Sequence, residues 1–423
     1  MSPPDTATAA AAEAAARQSY GRLLAYLAYR WRDIAAAEDA LAEAFAAALE
    51  SWPRTGVPRA PDAWLMTAAR RNLLQMARHN RVVDDPAATI LLPDENTPAP
   101  DMTASPFPDD RLKLLFVCAH PAIDAAVRTP LMLQTVLGLD AQRIASAFLV
   151  SPGAMAQRLV RAKTKITQAG IRFEEPEPRE LPGRTQAVLE AIYAAYTLGS
   201  DGAPAPDSAA TELTDEAIYL ADLAASLLPE QAEAAGLLAL LLLCEARRGA
   251  RFDADGAFVP LHAQDAARWN KPLIQRADQI LWMAAARHAP GPFQLEAAIQ
   301  AAHCHRAFTG AGVPWAGIAQ LYGQLVALSP TVGAMVSHAV AVGEAASAHE
   351  GLALLDSLAA QVGLPPLESY QPWWVARAYL LARAGSATEL TDARACYTRA
   401  IGLTSLPAVR SHLQKQMSML QNK

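Results

Sequence analysis

The sequence predicts an all-α protein, and three observations carry that prediction. Hydrophobic residues make up 52% of the 423 positions but aromatics only 6%, so alanine and leucine, both strong helix formers, supply most of the apolar surface. Glycine is sparse and β-branched runs are short. Apolar residues recur at three- and four-residue spacing along most of the chain, the period of a helix with one buried face. A chain of this length accommodates two or three domains.

Residues 1–16 are expected to be a flexible, partly helical tail. Helices then follow over 20–31 and 34–52. The second of these carries Leu41, Phe45 and Leu49 on an apolar stripe, with Glu38, Asp39 and Glu43 as an exposed acidic flank. Such a flank on its own reads as a solvated helix edge. After a turn at 53–61, a helix starts at Asp62. It turns Trp64, Leu65, Ala69, Leu73 and Met76 inward and Arg71, Gln75, Arg78 and His79 outward, with Arg70 and Arg81 beside them. Trp52 and Trp64 read as core anchors.

Periodicity stops at 82–108. Pro86, Pro93, Pro98, Pro100, Pro106 and Pro108, interleaved with Asp84, Asp85, Asp94, Glu95 and Asp101, mark an acidic, flexible linker. Helices resume over 109–120 and around 128–137.

The stretch LDAQRIASAFLVSPGAMAQRLVRAKTKITQAGI (139–171) organises the rest of the chain. Asp140 can cap a first helix that runs through Ile144, Ala145 and Phe148. Leu149 and Val150 make a turn, and Ser151-Pro152 opens a second helix with a capping side chain and a first-turn proline. In that helix Met155, Leu159, Ala162 and Ile166 form an apolar stripe, while Gln157, Arg158, Arg161, Thr164 and Lys165 share the opposite face. No acid follows Asp140 until Glu174. A helix that offers arginine, lysine and glutamine without a carboxylate suits base edges and phosphates in a major groove.

A second boundary is expected at EEPEPRELPGR (174–184), with an extension over 173–423. Its candidate helices are 185–198, 215–227, 231–248, 271–287, 292–306, 314–327, 332–346, 349–362, 373–384, 389–403 and 407–420. The run GLLALLLL (236–243) is far too short to span a bilayer and reads as a buried helix. Two stretches look like degenerate tetratricopeptide units. One is AGIAQLYGQLVALSP with EGLALLDSL; the other is ARAYLLARAG with DARACYTRAIGL, where Ala376, Ala384, Ala393 and Ala400 allow close helix approach.

The net charge of −6 is not that of a protein wrapped in nucleic acid, but the basic residues cluster at 54–81 and 158–172, which argues for local nucleic-acid contacts. Four cysteines (Cys118, Cys244, Cys304, Cys396) are scattered without metal-ligand spacing and are expected to be reduced, buried thiols. With an alanine-rich N-terminus that carries early acids, a soluble, cytoplasmic protein is expected.

In this order, AAEDALAEAFAAALESWP, PDAWLMTAARRNLLQMAR, a linker and a helix-turn-helix resemble the extracytoplasmic-function sigma factors of the sigma-70 family. The segments DDRLKLLFVCAHPAI, AFLVSPGAMAQRLVRAKTKI, FDADGAFVPLHAQDAARWN and GPFQLEAAIQAAH narrow the resemblance to the subgroup with a long tetratricopeptide-like C-terminal extension. The resemblance implies a sigma domain 2 over 17–81, a sigma domain 4 over 109–172, and core RNA polymerase and promoter DNA as partners. It implies that Asp39, Glu43 and Phe45 dock on polymerase, and that Arg70, Arg71, Gln75, Arg78 and Arg81 take up the melted minus-ten strand. Gln157, Arg158, Arg161, Lys163 and Lys165 would hold and read the minus-thirty-five element. The extension would regulate activity, with an unknown protein as a possible partner. Ala42, Gln75, Met76, Ala119 and the tetrad Asp140-Ala141-Gln142-Arg143 depart from the family's usual residues, which bears on promoter strength and preference.

No nucleophile elbow, phosphate loop or metal signature is present, and neither enzymatic chemistry, a cofactor nor a membrane partner is expected. His303-Cys304-His305 places adjacent residues on diverging directions of a helix, which disfavours metal binding. Asp253-Ala254-Asp255-Gly256 opens like a calcium loop, but the glycine comes two places early and Gln264 stands where the bidentate acid belongs, so a polar turn is expected. That loop, with Asp265, Arg268 and Trp269, reads as a structural staple or a contact surface. The rival reading is a stand-alone helix-turn-helix regulator with a helical sensor domain.

Overall fold

The computed structural model describes residues 6–83, 111–148, 150–171, 179–200, 209–254 and 256–420, with side chains omitted for 6–18 and 78–83. The described residues are helical almost throughout; their only β feature is an isolated antiparallel bridge between Phe252 and Phe258. No described helix is long and apolar enough to cross a membrane. The chain divides into two compact units at Leu223.

The first unit opens with α1 (Thr6–Trp31), α2 (Ile34–Thr55) and α3 (Pro61–Val83). Helix α1 begins inside the expected tail, because TATAAAAEAAARQSY is rich in the best helix former. Asp33 caps α2, its Oδ1 accepting from Ala36 N at 3.1 Å. The buried face of α2 is Ile34, Ala37, Ala40, Leu41, Ala44, Ala48 and Trp52, which packs on Leu23, Leu24 and Leu27 of α1 and on Leu65, Ala69 and Leu73 of α3. Of the predicted stripe only Leu41 is buried; Phe45 is half-buried and Leu49 is 48% exposed. Trp52 is a core anchor, with Trp64 edge-on at 5.6 Å between ring centroids. Asp62, at the start of α3, accepts from Ser19 Oγ (2.7 Å) and pairs with Arg22 (2.6 Å), tying that helix end to α1.

The expected linker, apart from 82–83, which α3 includes, lies outside the described residues. Beyond it come α4 (Arg111–Cys118), α5 (Ala125–Thr135), α6 (Ala141–Ala147) and α7 (Pro152–Gln168), then α8 (Leu181–Ser200) and α9 (Ala209–Leu227). The boundary expected at 172/173 is not a packing boundary. Helix α8 lies against α5, and Arg111 of α4 pairs with Glu216 of α9 and sits 4.6 Å from the Tyr219 ring centroid. The proline-rich acidic run 174–184 marks a change of composition, while two further helices past it complete the core of this unit.

The second unit holds α10 (Ala232–Glu245), α11 (Lys271–Ala285), α12 (Pro292–Cys304), the short α13 (Arg306–Thr309), α14 (Trp315–Leu328), α15 (Val332–Ala345), α16 (Ala348–Val362), the short α17 (Leu364–Glu368), α18 (Gln371–Ala384), α19 (Ala387–Leu403) and α20 (Pro407–Met419). As expected for GLLALLLL, α10 is buried on all sides, between α11 and α12. Neighbours pack in sequence from α14 to α16 and from α18 to α20, in the manner of stacked helical pairs. At the crossing of α15 and α16 a Cβ on Gly351 would stand 2.6 Å from Ala339 O, so only glycine permits that approach.

The loop between α10 and α11 is held as a staple. Asp253 Oδ1 accepts from Ala257 N (2.8 Å), Asp265 Oδ1 from Ala267 N (2.9 Å), and Gln264 Nε2 donates to Val259 O (3.1 Å). Arg268 reaches the carbonyls of Gly249 and Phe252, and Trp269 is buried.

Candidate nucleic-acid interface

The helix-turn-helix forms for local reasons. Asp140 Oδ1 accepts from Arg143 N at 2.8 Å, and Ser151 Oγ from Ala154 N at 3.3 Å, so both helices start where capping side chains satisfy free backbone donors. Phe148 ends α6 as its C-terminal cap and is 37% exposed rather than packed inside; Leu149 lies outside the described residues. Met155, Leu159, Ala162 and Ile166 are all buried and seat α7 against α5 and α6.

Opposite that stripe, Gln157, Arg158, Arg161, Thr164 and Lys165 are exposed. Arg158, Arg161 and Lys165, with Asp124 at the start of α5, line a shallow groove. None of these three cations has an ion-pair partner among the described residues. Three uncommitted positive charges on one rigid helix face are an electrostatic footprint suited to a phosphate backbone.

Lys163 does not belong to that face. It is 9% exposed, and its Nζ is bound to Glu38 Oε2 of α2. The reading of Lys163 as a nucleic-acid contact is therefore corrected: it sits about 40° around the helix from Leu159, at the edge of the buried stripe. Glu38 is corrected with it, from an exposed flank residue to a mostly buried ion-pair partner. Burial pushes the Glu38 carboxyl up, opposed by Lys163. The same buried carboxylate and Asp39 add to burial in pushing the Tyr20 hydroxyl up.

On α3, Arg71 and Gln75 are exposed and Arg70 is half-buried, and neither arginine is ion-paired among the described residues. Arg78 and Arg81 lie on the same helix, but their side chains are outside the described residues. Asn72 Nδ2 donates to Ala40 O (3.2 Å) and fixes the rotation of α3 against α2. On α2, Asp39 and Glu43 are exposed one turn apart. Phe45 lies on a neighbouring face with Leu49 and Glu38, so the three predicted docking residues do not share a single strip.

The Lys163–Glu38 pair was the feature that sequence reasoning missed. Its only signal was a lone lysine flanking an apolar stripe. A second missed residue is Glu233. Gly291, at the start of α12, has no capping side chain, and Glu233 of α10 takes that role, accepting from Phe293 N (2.9 Å) and Gln294 N (3.0 Å).

Comparison with known proteins bears on the first three helices. Residues 17–82, which span most of α1 with α2 and nearly all of α3, match the model of Sigma-70 region 2. Residues 184–285 match a Family of unknown function (DUF6596). The chain is 37% identical over 407 residues to "Uncharacterized protein R00370" of Rhizobium meliloti (strain 1021), covering 95% of this chain and 93% of that protein. No solved structure matches. The chain thus carries a Sigma-70 region 2 in α1 to α3, which supports a sigma-factor-like role in transcription initiation with core RNA polymerase and promoter DNA, and it is related nearly end to end to the Rhizobium protein.

Proposed function

We propose that the chain is a sigma factor of the extracytoplasmic-function type, which directs core polymerase to its promoters in the cytoplasm and carries its own regulatory extension. The observation that supports this best is the face of α7: exposed, unpaired Arg158, Arg161 and Lys165 beside Gln157, on a helix without a carboxylate and with its other side locked into a core. That face reads the minus-thirty-five element, where arginine and glutamine match base edges in pairs of hydrogen bonds. Arg70, Arg71, Gln75, Arg78 and Arg81 of α3 hold the melted non-template strand by charge and stacking. Asp39 and Glu43, with the half-exposed Phe45 beside them, dock on polymerase. The chain supplies binding energy and no covalent chemistry. The extension from α10 onward adjusts that activity, covalently attached where other systems use a separate partner.

Run-off transcription with purified core polymerase tests the reading. Arg161→Glu is expected to lose promoter-specific transcription while retaining polymerase binding. Asp39→Lys with Glu43→Lys is expected to weaken polymerase binding and leave α6 and α7 folded. A chain that binds duplex operators tightly without polymerase, and never binds polymerase, would instead be a stand-alone regulator.

A further inference from the structure

Within the second unit, α12, α14, α15, α18, α19 and α20 line a half-open cavity of about 550 Å³, bounded on one side by the loop before α11. Its volume lies in the range of pockets that bury small organic ligands, roughly 300–1,000 Å³. The walls are aromatic: Trp315, Tyr322, Tyr379 and Tyr397, with Phe258 from the loop. Arg306 fixes that loop, donating to the carbonyls of Leu261 (2.5 Å), His262 (2.8 Å) and Gln264 (3.0 Å). The cavity is therefore bounded by ordered elements.

One buried polar group in its wall has room for a further partner. Glu344 presents a mostly buried carboxylate that accepts from the Tyr379 hydroxyl and pairs with Arg383 at 3.3 Å. Those partners leave lone pairs for a further donor.

The charges around the cavity select against ions. Arg247 and Arg306 flank the His303 end and oppose protonation of its ring, so they oppose a ligand cation there for the same reason. Glu344 opposes an anion at its end, and its pairing with Arg383 leaves little net charge there to hold a cation. Arg247 is already committed to Leu243 O and Gln300 Oε1, and Arg306 to its three carbonyls, which leaves neither guanidinium free to clamp a carboxylate.

We propose that this cavity is a binding site for an uncharged aromatic molecule bearing a hydroxyl or N–H group. The rings of Trp315, Tyr322 and Tyr397 line the space for its plane, and its polar group donates to the Glu344 carboxylate. The proposal concerns the second unit alone and does not depend on how the chain works with polymerase.

Equilibrium dialysis of the full chain tests it, with 2-naphthol as the probe. The expected result is saturable binding at one site, at least tenfold weaker for 2-methoxynaphthalene, which keeps the shape and lacks the donor. Binding of 2-naphthoate and of 2-naphthylmethylammonium, the anionic and cationic counterparts, is expected to be weaker still. Glu344→Gln removes the carboxylate acceptor, and Gln416→Trp fills part of the space from the rim on α20. Each variant that retains wild-type helicity should lose tenfold or more in naphthol affinity. Absence of saturable naphthol binding, tighter binding of either charged probe, or unchanged affinity in the folded rim variant would overturn the proposal.

Discussion

Lys163 of α7 and Glu38 of α2 meet as a mostly buried ion pair across 125 residues of sequence. The pair joins the helix proposed to read the minus-thirty-five element to the helix that carries the acids proposed to dock on polymerase. Its two members stand apart from their exposed neighbours Lys165 and Asp39.

This pair predicts an asymmetric mutational result. Lys163→Met leaves the Glu38 carboxylate in a site whose burial already pushes its pKa up, and is expected to cost roughly 2 kcal/mol. Adding Glu38→Gln removes the uncompensated charge and should recover most of that loss, a coupling that a double-mutant cycle in urea measures. Lys165→Met, on the exposed face, should leave stability within about 0.5 kcal/mol and lower promoter affinity instead. Equal stability of the wild type and the Lys163 variant would dismiss the pair as a tie between the two helices.

Gly21 of α1 predicts a second loss, for steric reasons. A Cβ there would stand 1.8 Å from the carbonyl oxygen of Val136, at the end of α5, and a backbone atom cannot yield as a side chain does. Gly21→Ala is expected to destabilise by at least about 2 kcal/mol. Gly153 in the first turn of α7 has nothing within 4 Å of its would-be Cβ, so Gly153→Ala should stabilise by roughly 0.5 kcal/mol. Thermal melts of the two variants should therefore move in opposite directions.

How far these features could be read from the residues depends on the range of the signal. Asp140 and Ser151 were legible as caps because a cap is a contact between residues three apart. The stripe from Met155 to Ile166 was legible because large apolar side chains mark a helical period. On α2 the same reasoning failed: Leu41, Phe45 and Leu49 are each four apart, a spacing that drifts by about 40° per step, while the buried face is built mainly of alanine. Alanine carries too weak a pattern to reveal which side of a helix faces inward. Lys163 lay off the outer face by periodicity and joined the candidate contacts only through the family resemblance. Its partner 125 residues away had no sequence signal, and neither did the packing of α8 on α5 across the proline-rich run. The cavity bounded by Trp315, His303 and Tyr397 is likewise assembled from residues that no local motif groups.

Glu233 shows the same long-range dependence. It caps α12 from α10, and a Cβ on Gly291 would stand 2.2 Å from its carboxyl carbon, so the cap in this position requires the glycine. Glu233→Ala strips two backbone donors at a helix N-terminus of their acceptor and is expected to cost about 1–2 kcal/mol. Hydrogen exchange should quicken at Phe293 and Gln294 before the rest of α12. Unchanged protection at those two amides would refute the cap.

His303 predicts how stability depends on pH. Burial first, then Arg247, Arg306 and His262, push its pKa down from 6.5 to about 4. A group depressed in the folded state contributes stability that is complete above its unfolded pKa and is lost as pH falls through the folded value. The window is therefore pH 6.5 down to about 4, over which roughly 3 kcal/mol should disappear from this residue. His262 and His412 are also pushed down by burial and add to the slope in the same direction. Urea midpoints measured across that window should fall more steeply for the wild type than for His303→Phe. The difference between the two slopes isolates His303, because both imidazoles that share its cavity remain in the variant.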